Sequence, residues 1–220
     1  MFLDRGWTPP RLTRGFGRGS SLDFAKEREE VVRRLRNSIV TQTGDLGATG
    51  LLFNRRVSKA DPRVEAYGAC DELTAAIGLA RAHLSGQRAP RARSLARRLL
   101  SVQEDLVVVM GEVATRTSDR ARYCKAGRRF VTADDVARLT REAHAMERAG
   151  ARSSGWAIPG ANPLAAALDL ARTVCRRAER RVVALGEDAR RANPEVVRYL
   201  NRLSDLLWLM ARQAERRGKR

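Results

Sequence analysis

Hydrophobic residues recur every three or four positions along five long segments between residues 61 and 212. In the segment that starts near Pro163, this spacing places one set of apolar side chains on a single helical face: Leu164, Leu168, Ala171, Cys175, Ala178, Val182 and Leu185. Such spacing is typical of amphipathic helices that bury one face against each other. The pattern predicts an all-α protein, built as a five-helix antiparallel bundle.

Residues that commonly begin helices precede two of these segments. Asp61 is followed by Pro62, which combines an N-cap residue with proline at the first helical position. Thr132 is followed three residues later by Asp135, a pattern close to a capping box. The other three helices are predicted from their apolar spacing, over Leu95 to Val113, from about Pro163 and from Pro194.

The first part of the chain does not share this pattern. Residues 1–20 carry scattered Gly, Pro and Arg without a period, and a short amphipathic helix is predicted from Asp23 to about Asn37. From Thr41 to Gly50 the chain is too rich in glycine to form a helix. We therefore divide the chain into an N-terminal extension over residues 1–40, partly disordered, and a helical-bundle domain over residues 41–215.

The charge of the chain is strongly positive. Its 43 Lys and Arg residues outnumber 25 Asp and Glu residues, giving a net charge of +18. Such an excess is typical of proteins that bind nucleic acid, an anionic membrane surface or a phosphorylated small molecule. Arginine far outnumbers lysine, however, which is also what a GC-rich genome produces. Charge alone therefore leaves these classes open.

The few cysteines and histidines exclude several kinds of site. The three cysteines, Cys70, Cys124 and Cys175, lie far apart, and only His83 and His144 could join them as ligands. This set argues against a disulfide framework and against a metal site made by the protein alone. Free thiols are typical of cytoplasmic proteins, so a cytoplasmic location is predicted. No apolar run approaches the ~20 residues of a membrane span, and the first residues lack the apolar region of a secretory signal.

Charged residues border the apolar face of the helix predicted from Pro163. Arg172, Arg176 and Glu179 lie beside that face, whereas Arg177 and Arg181 lie on the opposite side. Charges at such a margin are partly desolvated and need partners. Two interpretations remain open: ion pairs along one helix, or a site where guanidinium groups bind phosphate oxygens.

Three further features could belong to a functional site. The glycine-rich loop Gly44–Gly50 could offer backbone N–H groups to phosphate, with Lys59 as a nearby cation. The loop is not a Walker A motif, however, and a string of this kind is more often a turn. Asn201 lies beside the apolar face of the last helix. Asp71 lies on a face of the first helix whose small residues permit close approach of another helix, and it would need a cationic partner there.

Five sequence strings together resemble one family. TGDLGAT, RVEAYGACDEL after Lys59, PGAN, ARTVCRRAERRV and YLNRLSDLLWLMAR run in order from Thr41 to Arg212 and resemble the PduO-type cob(I)alamin adenosyltransferases. The resemblance implies a homotrimeric bundle with ATP bound between adjacent subunits. It implies transfer of the 5′-deoxyadenosyl group of ATP to cob(I)alamin or cob(I)yrinic acid a,c-diamide, with release of triphosphate. It also implies Mg²⁺ on the phosphates, with a reductase and an adenosylcobalamin-dependent mutase as possible partners.

The resemblance assigns site residues by position. The phosphate loop receives Thr41, Gln42, Thr43, Gly44, Thr49, Gly50 and Lys59. The rest of the ATP site receives Arg176, Arg177, Ala178, Glu179, Arg180 and Asn201. On the corrinoid side, Asp71 and Arg172 correspond to an intersubunit salt bridge, and Trp156 to the aromatic residue that displaces the lower axial ligand of cobalamin. The residues expected to act in the reaction itself are Arg172, Arg176, Glu179 and Asp71.

The chain departs from the family pattern at four points. Gln42 stands where a lysine is usual, Ala161 follows Pro159-Gly160 where a second glycine is usual, and Asp169 replaces a histidine. The glycine that usually precedes the Arg56-Val57 string is absent. These departures keep open a catalytically weak paralogue that binds ATP or corrinoid for delivery or sensing. A basic helical nucleic-acid binder is the other alternative, although the chain lacks aromatic stacking platforms and a recognisable reading motif.

Overall fold

The computed structural model describes residues 39–151, 156–186 and 193–216, so the helix predicted from Asp23 to Asn37 lies outside the described residues. The chain divides into two parts at Ala60. The first part contains strands β1 and β2, and the second contains helices α1 to α6. Their bounds are β1 Ala48–Leu51, β2 Arg55–Ser58, α1 Pro62–Ala82, α2 Pro90–Val113, α3 Arg120–Lys125, α4 Ala133–Arg148, α5 Pro163–Val183 and α6 Pro194–Glu215.

The first part contains an antiparallel hairpin. Thr49 pairs with Val57, and Gly50 pairs with Arg56. The glycine-rich stretch is not helical, which confirms that prediction, but the hairpin itself was not predicted. At its tip Phe53 and Asn54 adopt positive φ values of 58° and 59°. Asparagine adopts this left-handed conformation more readily than most residues, so Asn54 takes the conformation that a glycine would otherwise favour.

The predicted helix starts are confirmed in the second part. The Asp61 carboxylate accepts a hydrogen bond of 2.8 Å from the Arg63 N–H at the start of α1. Thr132 and Asp135 form a complete capping box at the start of α4. These bonds satisfy N–H groups that have no partner within the helix. The short helix α3 was not predicted, because its six residues are too few to show an apolar period.

The five long helices form the predicted bundle. Helix α1 packs against α2 and α5, and α6 packs against α5 and α4. An ion pair of 2.8 Å between Arg98 and Glu142 joins α2 to α4. The core between them consists mainly of aliphatic side chains, the largest fully buried ones being Leu73, Ile77, Leu99, Leu106, Leu139, Leu168, Leu200, Leu203, Leu206 and Leu207.

One buried carboxylate ties three of these helices together. Asp105 of α2 accepts hydrogen bonds of 2.9 Å from the Tyr199 hydroxyl of α6 and 2.8 Å from Arg129, which precedes α4. Arg138 of α4 also donates to it. Burial, and secondarily the negative charge of Asp105, raise the pKa of Tyr199 well above its ordinary value. Tyr199 therefore stays neutral and acts as a hydrogen-bond donor.

Candidate functional site

Helix α5 carries six of the predicted site residues, and all of them except Ala178 have solvent-accessible surface. Ala178 is fully buried in the core, so the structure does not bring this residue to the surface of the site. Arg176 and Arg180 are exposed, whereas Arg172 is about one-quarter exposed. Among the described residues, Arg176 has no carboxylate within ion-pair distance. This leaves its guanidinium available to an anion.

Glu179 and Asn201 are brought together across the α5–α6 contact. The Asn201 side-chain amide donates a hydrogen bond of 3.2 Å to the Glu179 carboxylate. Asp205, one turn further along α6, instead pairs with Arg202 at 3.0 Å. Glu179 and Asn201, which the resemblance assigns to the ATP site, therefore contact each other, and Asn201 fixes one oxygen of Glu179.

Two arginines of α5 are held by α1. Arg177 forms an ion pair with Glu72, and Arg181 forms one of 3.0 Å with Glu65. Their side chains are 45% and 52% exposed, in agreement with their predicted position away from the apolar face. Binding of a phosphate by Arg177 would therefore compete with Glu72.

Arg172 contacts Asp169 rather than Asp71 within one chain. Its Nε lies 3.3 Å from an Asp169 oxygen, while Asp71 lies exposed on α1. Asp169 is also paired with Arg212 of α6, and both are almost completely buried. Sequence reasoning missed this pairing, because no spacing rule relates a residue of α5 to one near the end of α6.

In the first part of the chain, the side chain of Lys59 lies against the backbone of the glycine-rich loop. A Cβ at Gly44 would lie 3.2 Å from Cε and Nζ of Lys59, so glycine allows this lysine to lie against the loop. The backbone of Lys59 in turn donates to Gly47 at 2.8 Å. Gly47 itself has a φ of 75°, which favours glycine. Lys59 and the loop thus form one unit.

A second cation reaches the same loop from strand β2. Arg56 Nη2 donates a hydrogen bond of 2.8 Å to the Thr43 carbonyl oxygen, next to Gln42. The Thr41 and Thr43 hydroxyls lie 2.9 Å apart. Position 42 carries glutamine instead of the usual lysine, and the Arg56 guanidinium places a positive charge next to this position. Sequence reasoning missed Arg56 because its proximity depends on the register of the hairpin.

The segment before α5 exposes two large apolar side chains. Trp156 is 95% exposed and Ile158 is 79% exposed. Gly160 takes a φ of 116°, whereas Ala161 lies outside the left-handed region, so the methyl group of Ala161 causes no backbone strain. Large exposed aromatic residues are available for contact with a ligand or a partner.

The described part of the chain offers no preformed metal centre. Within residues 39–151, 156–186 and 193–216, no three His, Cys, Asp or Glu side chains are grouped as metal ligands. In the same residues, no helix combines the length and apolar character required to cross a membrane.

The helical bundle and its arginine-lined α5 agree with one protein family. Residues 39–214 match the sequence profile described as cobalamin adenosyltransferase. The chain belongs to the cobalamin adenosyltransferase family, and several of its relatives are named as PduO-type enzymes.

Two relatives illustrate the similarity. The corrinoid adenosyltransferase of Bacillus subtilis is 40% identical over 180 residues, covering 82% of this chain and 88% of that protein. The corrinoid adenosyltransferase PduO of Citrobacter freundii is 38% identical, and the match covers 80% of this chain but 49% of that protein. The chain thus spans about half the length of this relative.

A solved structure shares the same fold. A variant PduO-type ATP:corrinoid adenosyltransferase from Lactobacillus reuteri, complexed with cobalamin and ATP, superposes with a TM-score of 0.71 at 30% identity. The match covers 81% of this chain and 94% of that one.

Proposed function

We propose that this chain is an ATP-dependent corrinoid adenosyltransferase. It transfers the 5′-deoxyadenosyl group of ATP to the cobalt of cob(I)alamin or cob(I)yrinic acid a,c-diamide and releases triphosphate. The observation that carries the proposal is the exposed Arg176, which has no ion-pair partner among the described residues and lies three residues before the Asn201-bound Glu179. Family membership supports the same reaction.

The chemistry suits a site with arginines and without a general base. The electron pair of cobalt(I) attacks the 5′ carbon of ATP, the carbon–oxygen bond breaks, and its electrons leave with triphosphate. The reaction needs no proton removal, so the protein must orient the two substrates and stabilise the charge on the leaving group. Arg176, Arg180 and Lys59 are the cations proposed for that charge, with Arg177 joining after it releases Glu72. Mg²⁺ is proposed on the phosphates.

The ATP site is proposed to form between adjacent copies of a homotrimer. The loop residues of one copy, with Lys59, would bind the phosphates together with α5 of the next copy. Half-exposed apolar residues on α1 and α5 support a helix-to-helix interface: Leu79, Leu170 and Val183. Buried apolar surface is what an obligate interface requires.

The corrinoid is proposed to bind near Arg172 and Trp156. Asp71, exposed on α1, would pair with Arg172 of a neighbouring copy, because a carboxylate at a subunit contact needs a cationic partner. Trp156, exposed before α5, would occupy the place of the lower axial ligand. Four-coordinate cobalt is more easily reduced. We propose a cytoplasmic enzyme, supplied by a reductase and serving a mutase.

Arg176→Ala tests the proposal. Purified protein with ATP, Mg²⁺ and chemically reduced cobalamin should give the spectral change of cobalt–carbon bond formation, and the variant should lose at least about tenfold in kcat/KM. Arg93→Ala, which removes an exposed arginine of α2, is the matched control. Size-exclusion chromatography checks that both variants keep the wild-type assembly. Unchanged turnover of Arg176→Ala would remove the assignment.

Two binding measurements on the same purified protein test the two alternatives. Stoichiometric ATP binding by the wild-type protein without bond formation would assign a delivery or sensing module. Tight, salt-sensitive binding of DNA or RNA in the same buffer would assign the nucleic-acid alternative. The backbone at Ala161 lies outside the left-handed region and so accommodates one of the four departures from the family pattern, which favours the active enzyme.

A further inference from the structure

The contact between α5 and α6 contains two almost completely buried charges. Asp169 is 2% exposed and Arg212 is 3% exposed. Burying an ion pair in a helical core costs desolvation energy that the pair itself often does not recover. Aliphatic residues of similar size would therefore stabilise the bundle equally well, which suggests that the pair does more than hold α5 to α6.

The two oxygens of Asp169 have different partners. Oδ2 accepts a hydrogen bond from Nη2 of Arg212. Oδ1 accepts one of 3.3 Å from Nε of Arg172, which is one turn along α5 and borders the solvent. Asp169 is thus the link between a buried arginine and a partly exposed one.

Arg212 is itself fixed in place. Its Nη2 lies 2.9 Å from the Glu215 carboxylate, and its guanidinium carbon lies 5.5 Å from the centre of the Trp208 ring. A guanidinium over an aromatic face is attracted by the ring's charge distribution. The inner partner of the Asp169 carboxylate is therefore itself held by two further contacts.

The bond to Asp169 leaves the outer end of Arg172 free. Only Nε is used, and among the described residues neither terminal nitrogen of Arg172 has a hydrogen-bond partner. The two terminal nitrogens of a guanidinium bind a carboxylate or phosphate with two parallel hydrogen bonds. Fixing Nε lowers the rotational freedom that this side chain would lose on binding.

We propose that Asp169 is a positioning residue, which together with Arg212 fixes the orientation of Arg172 on the corrinoid side, where its terminal nitrogens would meet Asp71 of a neighbouring copy. The inference rests on the proposed function, since it concerns the arginine that we place on the corrinoid side. Asp169 stands where the family usually has a histidine. A carboxylate balances the buried charge of Arg212, which a neutral imidazole cannot do.

The test replaces the buried pair without leaving an unpaired charge. In Asp169→Leu/Arg212→Met both partners become apolar, so the bundle is expected to stay folded, and thermal denaturation checks this. We expect the Kd for cob(II)alamin, measured with ATP present, to rise at least about fivefold, while the Kd for ATP changes less than twofold. Arg98→Met/Glu142→Leu, which replaces the ion pair between α2 and α4 in the same way, is the control and should leave both constants unchanged.

A double-mutant cycle separates positioning from a general structural effect. In an Arg172→Ala background the Asp169→Leu/Arg212→Met change should have no further effect on cob(II)alamin binding. Equal losses in both backgrounds would overturn the proposal, as would unchanged binding in the folded double variant. If Arg172→Ala alone leaves corrinoid binding intact, Asp169 has nothing to position and the inference fails, while turnover can persist. Wild-type protein that binds ATP and corrinoid but never forms the bond contradicts the proposed function alone.

Discussion

Asn201 of α6 donates a 3.2 Å hydrogen bond to Glu179 of α5, and this contact joins two residues that are 22 positions apart in the chain. A carboxylate bound in this way has one oxygen fixed and the other available to a ligand group. Because Arg176 lies one turn before Glu179, the contact also limits how Glu179 can approach that guanidinium.

The first prediction replaces Asn201 by aspartate. Asn201→Asp places two carboxylates where a donor and an acceptor now meet, so Glu179 should be repelled from its position. Because the contact is exposed, we expect a moderate rise in the KM for ATP, up to about tenfold. Asp205→Asn, one turn further along α6, is the control, since Asp205 pairs with Arg202 instead. Equal KM values for the two variants would contradict a role for Asn201 at the ATP site.

The second prediction concerns the competition between Glu72 and phosphate for Arg177. Glu72→Gln removes the ion pair and leaves Arg177 free, so the KM for ATP should fall, by at most about fivefold, because exposed ion pairs contribute little. Glu65→Gln removes the equivalent pair with Arg181 and should leave the KM unchanged. An unchanged KM in Glu72→Gln would show that Arg177 does not bind the phosphates.

The third prediction concerns the three thiols. Burial raises the pKa of Cys70 to about 12, and burial also raises the pKa of Cys175 well above its ordinary value. At pH 8 only roughly one Cys70 thiol in ten thousand would be ionised, and the thiolate is the reactive form. Iodoacetamide should therefore modify the exposed Cys124 and spare the two buried thiols, as peptide mass spectrometry can determine. Urea-unfolded protein, in which all three should react, is the control.

The fourth prediction concerns stability. Tyr199→Phe removes the hydroxyl that donates to the buried Asp105 carboxylate, so the free energy of unfolding should fall by about 1–2 kcal/mol, measured by urea denaturation. In an Asp105→Asn background the same change should cost less, because the charge that strengthens the hydrogen bond is gone. An equal loss in both backgrounds would show that the hydroxyl acts through packing alone.

Local rules account for what the sequence predicts correctly. The capping box of Thr132 and Asp135 spans three residues, and the apolar faces of the helices follow from a fixed period, so both are readable from the chain. The Asp169–Arg212 pair spans 43 residues and depends on how far α6 slides along α5. The Arg56–Thr43 contact likewise depends on hairpin register. Such contacts follow from tertiary packing, which periodicity leaves undetermined.

The last prediction separates the role of Trp156 from general binding. If Trp156 displaces the lower axial ligand, Trp156→Ala should lower kcat with cobalamin by at least about tenfold, yet it should affect cobinamide little, because cobinamide has no lower ligand to displace. Ile158→Ala, which shortens the other exposed apolar side chain of this segment, is the matched control and should affect neither substrate. A parallel loss with both corrinoids would show that Trp156 contributes apolar contact area rather than ligand displacement.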